Sequence, residues 1–330
     1  MKNFTYFRPT TPEQAVGLLE NRWGNTELLA GGTDLLDLLK EYVAQPGRVV
    51  SLGNIKGLSG IDANNREVRI GAGTKLADIA RHEAVRQHFR GLADAADIIG
   101  GPQIRNMGTL GGNLCQRNRC WYFRDEHTPC LIKGGDRCYA INGENKYHAI
   151  FTHNQPCVIV HPSTLAPVLI ALGATAQVQG PRGTNTVELS RFFRAPTRDN
   201  SREHNLAPNE LVLSVTIPVR GLANASYEVR QKQAYDWPLV QAAVAFERDG
   251  DNARNVKIVL GHVAPTPHLA QAAMKEVEGR AITEDSATRA GRAATEGARP
   301  LGQNDYKLRL VAVAVKRALL LAAGQKLYCE

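Results

Sequence analysis

Hydrophobic and polar positions change period repeatedly along the first hundred residues, and each change predicts a new helix or strand. Thr11, Pro12 and Gln14 form the pattern of a helix N-terminus: a capping residue, a proline at the first helical position and a capping box. The apolar segment at 26–30 is typical of a strand and stops at a glycine pair. The elements expected here are strands at 26–30, 48–52 and 68–73 and helices at 12–21, 35–39 and 76–89.

The second half of the chain predicts strands followed by helices. Ser163 can cap a helix that runs through Leu172, and Gly324 suits the position after the last helix. Further expected elements are strands at 175–178, 211–217, 226–232, 239–247 and 257–263 and a helix at 305–323. The stretch 217–223 contains proline and arginine and is the predicted boundary between a domain at 1–220 and a domain at 221–330.

The composition is that of a folded protein. Of the 330 residues, 43% are hydrophobic and 22% are charged, and this length predicts two domains. The net charge of +8 would suit a nucleic-acid-binding protein, but basic residues are scattered among acidic ones, so no nucleic-acid partner is expected. No signal peptide and no membrane span are recognisable, which predicts a cytoplasmic protein, or a periplasmic one if a partner's export signal carries the complex.

Two glycine-rich turns have the makings of a phosphate cradle. In Gly31-Gly32-Thr33-Asp34 the paired glycines would let backbone N–H groups approach an anion, and Thr33 adds a hydroxyl. Thr109-Leu110-Gly111-Gly112-Asn113 repeats this arrangement. Each turn alone is more often a simple connection, and neither matches a dinucleotide fingerprint or a P-loop. The pair in one mixed domain indicates a large anionic cofactor.

Five of the six cysteines lie between Cys115 and Cys157. Thiolates are the ligands of iron–sulfur clusters and of structural zinc. Zinc sites usually supply cysteines as C-x2-C pairs, whereas the gaps here are wide, so the spacing favours a cluster over zinc or over cysteines that merely pack. Cys329 at the chain end is interpreted as incidental, and no histidine or other residue is predicted to be catalytic.

Several motifs together resemble the flavoprotein subunits of the xanthine dehydrogenase and carbon monoxide dehydrogenase family over essentially the whole chain. The motifs are Ala30-Gly31-Gly32-Thr33-Asp34-Leu35, Ile70-Gly71-Ala72-Gly73-Thr74, 105–113, His161-Pro162-Ser163 and 261–267. The resemblance implies an α+β protein. Its FAD-binding domain would be two-part, of the PCMH/vanillyl-alcohol-oxidase type, and would be followed by a C-terminal α+β domain.

By this resemblance both glycine turns hold FAD. The residues it assigns to the cofactor are Ala30, Gly31, Gly32, Thr33, Asp34, Leu35, Thr109, Gly111, Gly112, Asn113 and Lys232. The last belongs to a loosely matching segment, Lys232–Asp236, which reaches the isoalloxazine side in relatives. Many relatives carry Asp after the serine of the His-Pro-Ser motif, whereas this chain has Thr164, so an acidic flavin contact is not expected from that position.

The cysteine segment, about 114–157, looks like an insertion in the flavin subunits of 4-hydroxybenzoyl-CoA reductase and periplasmic aldehyde oxidoreductase, which holds an extra [4Fe–4S] cluster. That likeness implies ligation by Cys120, Cys130, Cys138 and Cys157, with Cys115 in place of Cys157 as the open alternative.

The expected function is electron transfer by FAD and [4Fe–4S] in a heterotrimeric molybdenum hydroxylase of the aldehyde or xanthine dehydrogenase kind. The expected partners are a large molybdenum-cofactor subunit, a small [2Fe–2S] subunit and an external acceptor such as a ferredoxin, a cytochrome or a quinone. The alternative is a zinc-stabilised basic scaffold or nucleic-acid-binding module.

Overall fold

A computed structural model describes residues 1–233 and 235–327, and its first lobe is built on a small parallel sheet of order β1-β3-β2. Its elements are β1 (Thr5–Phe7), α1 (Pro12–Gly17), β2 (Thr26–Leu29), α2 (Leu35–Lys40) and β3 (Arg48–Ser51). Thr11 caps α1 as predicted, since its Oγ1 accepts a hydrogen bond from Gln14 N at 3.2 Å. Gln14 reaches back to Thr10 N rather than Thr11 N, and the helix ends at Gly17, earlier than predicted.

The second lobe packs helices on an antiparallel sheet of order β4-β5-β8-β6-β7. Its elements are β4 (Ile61–Ala63), β5 (Glu67–Gly71), α3 (Leu76–Arg81), α4 (Glu83–His88), α5 (Arg90–Asp97), α6 (Pro102–Met107), α7 (Leu110–Cys115), α8 (Trp121–Arg124), α9 (Leu165–Ala171), β6 (Thr175–Gly180), β7 (Gly183–Glu188) and β8 (Leu211–Pro218). The single helix predicted at 76–89 is divided, because His82 adopts an extended conformation between α3 and α4.

The C-terminal part is an antiparallel sheet of order β12-β11-β10-β9 with helices against it. Its elements are β9 (Ala223–Val229), β10 (Val240–Asp249), β11 (Asn252–Gly261), β12 (His268–Leu269), α10 (Gln271–Val277), α11 (Glu284–Ala293) and α12 (Tyr306–Ala322). Residues 240–246 are all buried, because α12 packs on β10 from one side and α9 from the other. Gly324, at φ +86°, follows the end of α12 as predicted.

These lobes have the α+β class that the sequence predicts, with a two-part first region and a C-terminal region of its own. The first hydrophobic core joins α1, the five-stranded sheet and α9, and the second lies between the C-terminal sheet and α12. Within residues 1–233 and 235–327, no helix is long and apolar enough to cross a membrane.

Candidate cofactor sites

A cavity of about 300 Å³ lies where the two lobes meet, in the volume range of cofactor sites. Both glycine turns line it. The predicted flavin residues on its wall are Ala30, Gly31, Gly32, Thr33, Asp34, Leu35, Thr109, Gly111 and Gly112. The fold therefore brings together two turns that are some eighty residues apart in the chain.

The first turn is open towards the cavity. Gly32 adopts the left-handed conformation, at φ +76°, which few other residues tolerate. Within the described chain, the backbone N–H groups of Gly31, Gly32 and Thr33 have no hydrogen-bond partner. A Cβ on Gly31 would lie 1.9 Å from Met107 O, so only glycine lets this turn pack against the segment that leads into the second turn. Free donors of this kind suit the phosphates of FAD.

The second turn is closed on itself, contrary to the expectation that both turns offer N–H groups. Gly111 N donates to Ala72 O at 2.8 Å, and Gly112 N donates to Thr109 Oγ1 at 3.1 Å. Asn113 N donates to Thr109 O at 2.8 Å. The three N–H groups of this turn are therefore not available to a ligand. Its glycines form part of the cavity wall.

A second cavity, of about 260 Å³, continues from the first and shares Thr33, Asp34, Thr109 and Gly112 with it. Asn113 lines this second cavity, and its Oδ1 accepts a hydrogen bond from Ser163 Oγ at 2.6 Å. The same Ser163 Oγ accepts from Ala166 N at 3.0 Å, so Ser163 caps α9 as predicted.

The segment at 232–236 is only partly described, because Ala234 lies outside the described residues. Lys232 is exposed and lines neither cavity, so its assignment to FAD stays a prediction. Tyr235 and Trp237 of the same loop do line the second cavity. A Cβ on Gly101 would lie 2.1 Å from the Tyr235 ring, so this glycine makes room for the tyrosine.

Sequence reasoning missed a group of charged and aromatic side chains around the first cavity. The Arg202 guanidinium lies 4.7 Å from the Trp23 ring centroid and pairs with Glu27 at 2.5 Å. Arg117 pairs with the fully buried Glu203 at 3.0 Å. These residues come from three separate stretches of the chain, 23–27, 117 and 202–203, and form no motif, so no local signal could have found their pairing.

Asp34 joins the first glycine turn to the cysteine segment. Its Oδ2 accepts a hydrogen bond from Arg117 N at 2.8 Å, and its Oδ1 lies 2.6 Å from Arg124 Nη2 and 3.0 Å from Arg119 Nη1. Burial opposes ionisation of Asp34, but the Arg119 and Arg124 guanidinium groups hold its pKa below the usual value. A carboxylate bound in this way anchors the turn.

Three cysteines of the segment, Cys120, Cys130 and Cys157, belong to one apolar cluster. Interaction with the Cys157 thiol lowers the pKa of Cys138 to about 6 and raises that of Cys157. Cys120 interacts electrostatically with Cys138 and with Cys130. Cys130 and Cys157 are buried in an apolar cluster with other side chains of the segment.

Cys115 lies apart from these four cysteines. It packs against the first hydrophobic core and lines the first cavity, and burial raises its pKa to about 12. Cys329 lies outside the described residues. Among the residues that the structure describes, no group of three or more His, Cys, Asp or Glu side chains is placed to hold a metal ion.

The fold and the open glycine turn define a flavin-binding protein. The chain belongs to the FAD-binding subunits of the molybdenum hydroxylase family. Residues 2–220 match the FAD binding domain in molybdopterin dehydrogenase, and residues 225–322 match the CO dehydrogenase flavoprotein C-terminal domain. The predicted family, fold class and FAD cofactor are confirmed.

Relatives support this family over the whole chain. The FAD-binding subunit PaoB of the Escherichia coli aldehyde oxidoreductase is 32% identical, with 98% of this chain and 100% of that one covered. The carbon monoxide dehydrogenase medium chain of Hydrogenophaga pseudoflava is 28% identical, with 96% of each chain covered. A solved structure of carbon monoxide dehydrogenase from that organism superposes with a TM-score of 0.75 at 28% identity, with 98% and 97% covered. The chain is thus an oxidoreductase subunit, as predicted.

Proposed function

We propose that this chain carries FAD and a [4Fe–4S] cluster and transfers electrons within an enzyme of three different subunits. A large subunit with the molybdenum cofactor would oxidise the substrate, and a small [2Fe–2S] subunit would pass the electrons on. An external acceptor, such as a ferredoxin, a cytochrome or a quinone, would receive them. The relatives named as medium chains or FAD-binding subunits of aldehyde and carbon monoxide dehydrogenases support this assembly.

The first turn would hold the FAD phosphates, because its residues line the cavity and its N–H groups have no partner among the described residues. Thr109, Gly111 and Gly112 would form the opposite wall, and Asn113 would face the ring end of the cofactor in the second cavity. When bound, FAD exchanges electrons singly with iron–sulfur centres and in pairs with two-electron donors or acceptors. The FAD-binding domain would span 1–220, with the cysteine segment inserted at about 114–157, and the second domain would span 221–330.

The observation that supports the cluster proposal is that Cys120, Cys130 and Cys157 share one apolar cluster, whereas Cys115 packs on the first hydrophobic core. Cys138 interacts electrostatically with Cys120 and Cys157, although the described side chains do not yet form a metal-binding group. Four thiolates are the donor set that a [4Fe–4S] cluster requires. This arrangement favours Cys157 over Cys115 as the fourth ligand.

The surroundings of the four cysteines also suit a cluster. Phe123, Ile132 and Ile159 are buried against them and would exclude water. The Lys133 ammonium interacts electrostatically with Cys130 and Cys120, so it would offset the negative charge of thiolates on a cluster. His148 Nε2 lies 3.2 Å from Cys120 Sγ and would hydrogen-bond to that sulfur.

The test is iron counting and low-temperature electron paramagnetic resonance on the reduced complex. Cys120→Ser, Cys130→Ser, Cys138→Ser and Cys157→Ser should each lose or degrade the cluster signal, because serine is a poor substitute for a soft thiolate. Cys115→Ser is the matched control and should keep full iron. FAD should remain in all the variants that fold, since the glycine turns lie outside the segment.

Two results would contradict the proposal. If the iron content is unchanged in all five variants, the segment does not hold a cluster. Stoichiometric zinc without iron would favour the scaffold alternative. Loss of the cluster in Cys115→Ser with retention in Cys157→Ser would mean that Cys115, not Cys157, is the fourth ligand.

The isolated chain should not oxidise aldehydes or purines, and activity should need both partner subunits.

A further inference from the structure

Glu228, near the end of β9, is a buried acid that the surrounding protein compensates only in part. Its side chain is 2% exposed, and its Oε1 has no hydrogen-bond partner among the described residues. The nearest cation is Arg230, whose Nε lies 3.9 Å from Oε2, at the outer limit of an ion pair. Arg230 Nη1 also donates to Ile98 O at 3.0 Å. The carboxyl group of Glu228 is therefore poorly compensated by protein.

A buried acid in this state is costly when ionised. Burial raises the pKa of Glu228 to about 7, although the Arg230 guanidinium and the Thr164 hydroxyl act in the opposite direction. The group can therefore be a neutral hydrogen-bond donor or an anion within the physiological range. Burial without a partner needs an explanation, and a missing ligand group is one.

The position of Glu228 indicates what that ligand group is. Glu228 and Thr164 lie side by side on the wall of the second cavity, together with Asn113 and Trp237. This cavity continues from the one lined by the open first turn. If the phosphates of FAD bind that turn, one end of the cofactor would occupy the first cavity and the other end would extend into the cavity that Glu228 lines.

We propose that Glu228 contacts the redox-active ring of FAD, that its protonated carboxyl donates a hydrogen bond to the ring, and that its ionisation opposes reduction of the flavin. This inference rests on the proposed placement of FAD. An acid from β9 would then supply the acidic contact that Thr164 does not. Glu228 is a direct contact of the cofactor in this proposal, not part of the packing between β9 and its neighbours.

The proposal implies a proton balance. Reduction places two electrons, supplied by the small iron–sulfur subunit, and one proton on the ring. Where Glu228 is ionised before reduction, the added negative charge on the ring draws a second proton from solvent onto the carboxylate. Reduction of the flavin should thus be coupled to the uptake of one more proton per two electrons than it would be without Glu228, over a range of pH that begins near the ionisation of Glu228.

Other titratable groups around the cavity must be separated from this effect. They are Asp34 in the first turn, Arg119 in the cysteine segment, Arg230, Tyr235 and Asp236 in the loop after β9, and His262 after β11. Burial lowers the pKa of His262 to about 3, so it stays neutral in the range of interest. Asp34 has a lowered pKa and stays ionised there.

The experiment is spectroelectrochemical titration of the flavin in the intact complex from about pH 6 to about pH 9, a range that brackets the ionisation of a strongly perturbed carboxyl. In the wild type, the absorption of oxidised FAD should change in one step near neutral pH, and the midpoint potential should fall more steeply with pH above that step. Glu228→Gln keeps a neutral donor and should retain FAD but lose both features. Glu296→Gln, at an exposed position, is the matched control and should behave as the wild type.

Equal titrations of Glu228→Gln and wild type, or a wild-type spectrum without any step, would overturn the proposal. If Glu228→Gln does not retain FAD, Glu228→Asp is the deciding variant, because it keeps a carboxyl group. The absorption step should then persist at a shifted pH. Absence of the step in Glu228→Asp would count against the proposal. A wild-type complex purified without FAD would instead refute the proposed function itself. Flavin that is normally bound but insensitive to Glu228 refutes only the present inference.

Discussion

The two glycine turns have nearly the same sequence pattern, and the structure uses them differently. In the first turn, Gly32 is left-handed and the N–H groups of Gly31 to Thr33 are free among the described residues. In the second, the N–H groups of Gly111, Gly112 and Asn113 are bonded to Ala72 and Thr109. A glycine pair followed by polar residues therefore predicts a tight turn, but it does not say whether the donors of the turn face a ligand.

The difference has a local cause at the start of each helix. Thr109 adopts the extended conformation of an N-cap and its hydroxyl accepts from Gly112 N, so the second turn satisfies its own donors. Asp34 stands at the equivalent position before α2 but makes no side-chain cap bond. Its carboxylate is bound to Arg117, Arg119 and Arg124 of the cysteine segment instead, which leaves the donors of the first turn open.

The largest effect is expected from Gly31→Ala. The new Cβ would lie 1.9 Å from Met107 O, a backbone atom that can yield only if the two turns separate. We expect a loss of more than about 3 kcal/mol in the free energy of unfolding, together with loss of FAD. Denaturant unfolding and flavin content of the purified complex measure both.

Gly17→Ala is the matched control for this substitution, because no atom lies within 4 Å of the Cβ that it would add. It should retain full flavin and be at least as stable as the wild type, because alanine is the better helix former. Full flavin occupancy in Gly31→Ala would show that the turns do not need their close approach.

Features that depend on neighbouring residues in sequence were predictable. The Thr11 and Ser163 caps and the glycine that follows α12 are local signals, and each is found at the predicted residue. The helix predicted at 76–89 was wrong in its continuity, because apolar spacing does not reveal the extended residue His82.

Features that depend on distant residues were not predictable from this one sequence. Glu228, Arg202 and Glu203 carry no motif, and their importance comes from burial and from partners that the fold brings near. The second turn is another example. Its Gly111 N–H group is not free because it donates to the carbonyl of Ala72, a residue that follows β5 and is distant from the turn in sequence. A sequence motif can therefore suggest a binding site, but the folded structure is needed to show which of its hydrogen-bond donors are free.

A smaller effect is expected from Asp34→Asn. The change keeps the shape of the side chain but removes the charge that faces Arg119 and Arg124. Since Asp34 is 18% exposed, solvent screens part of the loss, and we expect roughly 2–3 kcal/mol rather than more. If the aspartate anchors both regions, flavin content and iron content should fall together in this variant.

The pH dependence of stability tests the same anchor. The folded-state pKa of Asp34 lies below the ordinary value of 3.8, so its contribution is present above that pH and is lost as the pH falls through the lowered pKa. Acid unfolding of the wild type should include this loss, whereas Asp34→Asn should lack it. Identical differences in stability between the two proteins at neutral and at acid pH would argue against the ion pairs.

The smallest effects are expected from replacing one threonine in each turn by valine, which has nearly the same volume but no hydroxyl. These two variants separate the roles of the two turns most directly. Thr109→Val removes the acceptor of Gly112 N and should cost about 1 kcal/mol of stability with little change in FAD affinity, since the second turn gives the cofactor no donors. Thr33 lines both cavities, so Thr33→Val should leave stability nearly unchanged and weaken FAD binding by about fivefold, the value of one hydrogen bond near 1 kcal/mol. Flavin release followed by fluorescence, beside denaturant unfolding, measures both quantities for both variants. If both variants weaken FAD to the same extent, the two turns act alike on the cofactor and the distinction between an open and a closed turn is wrong.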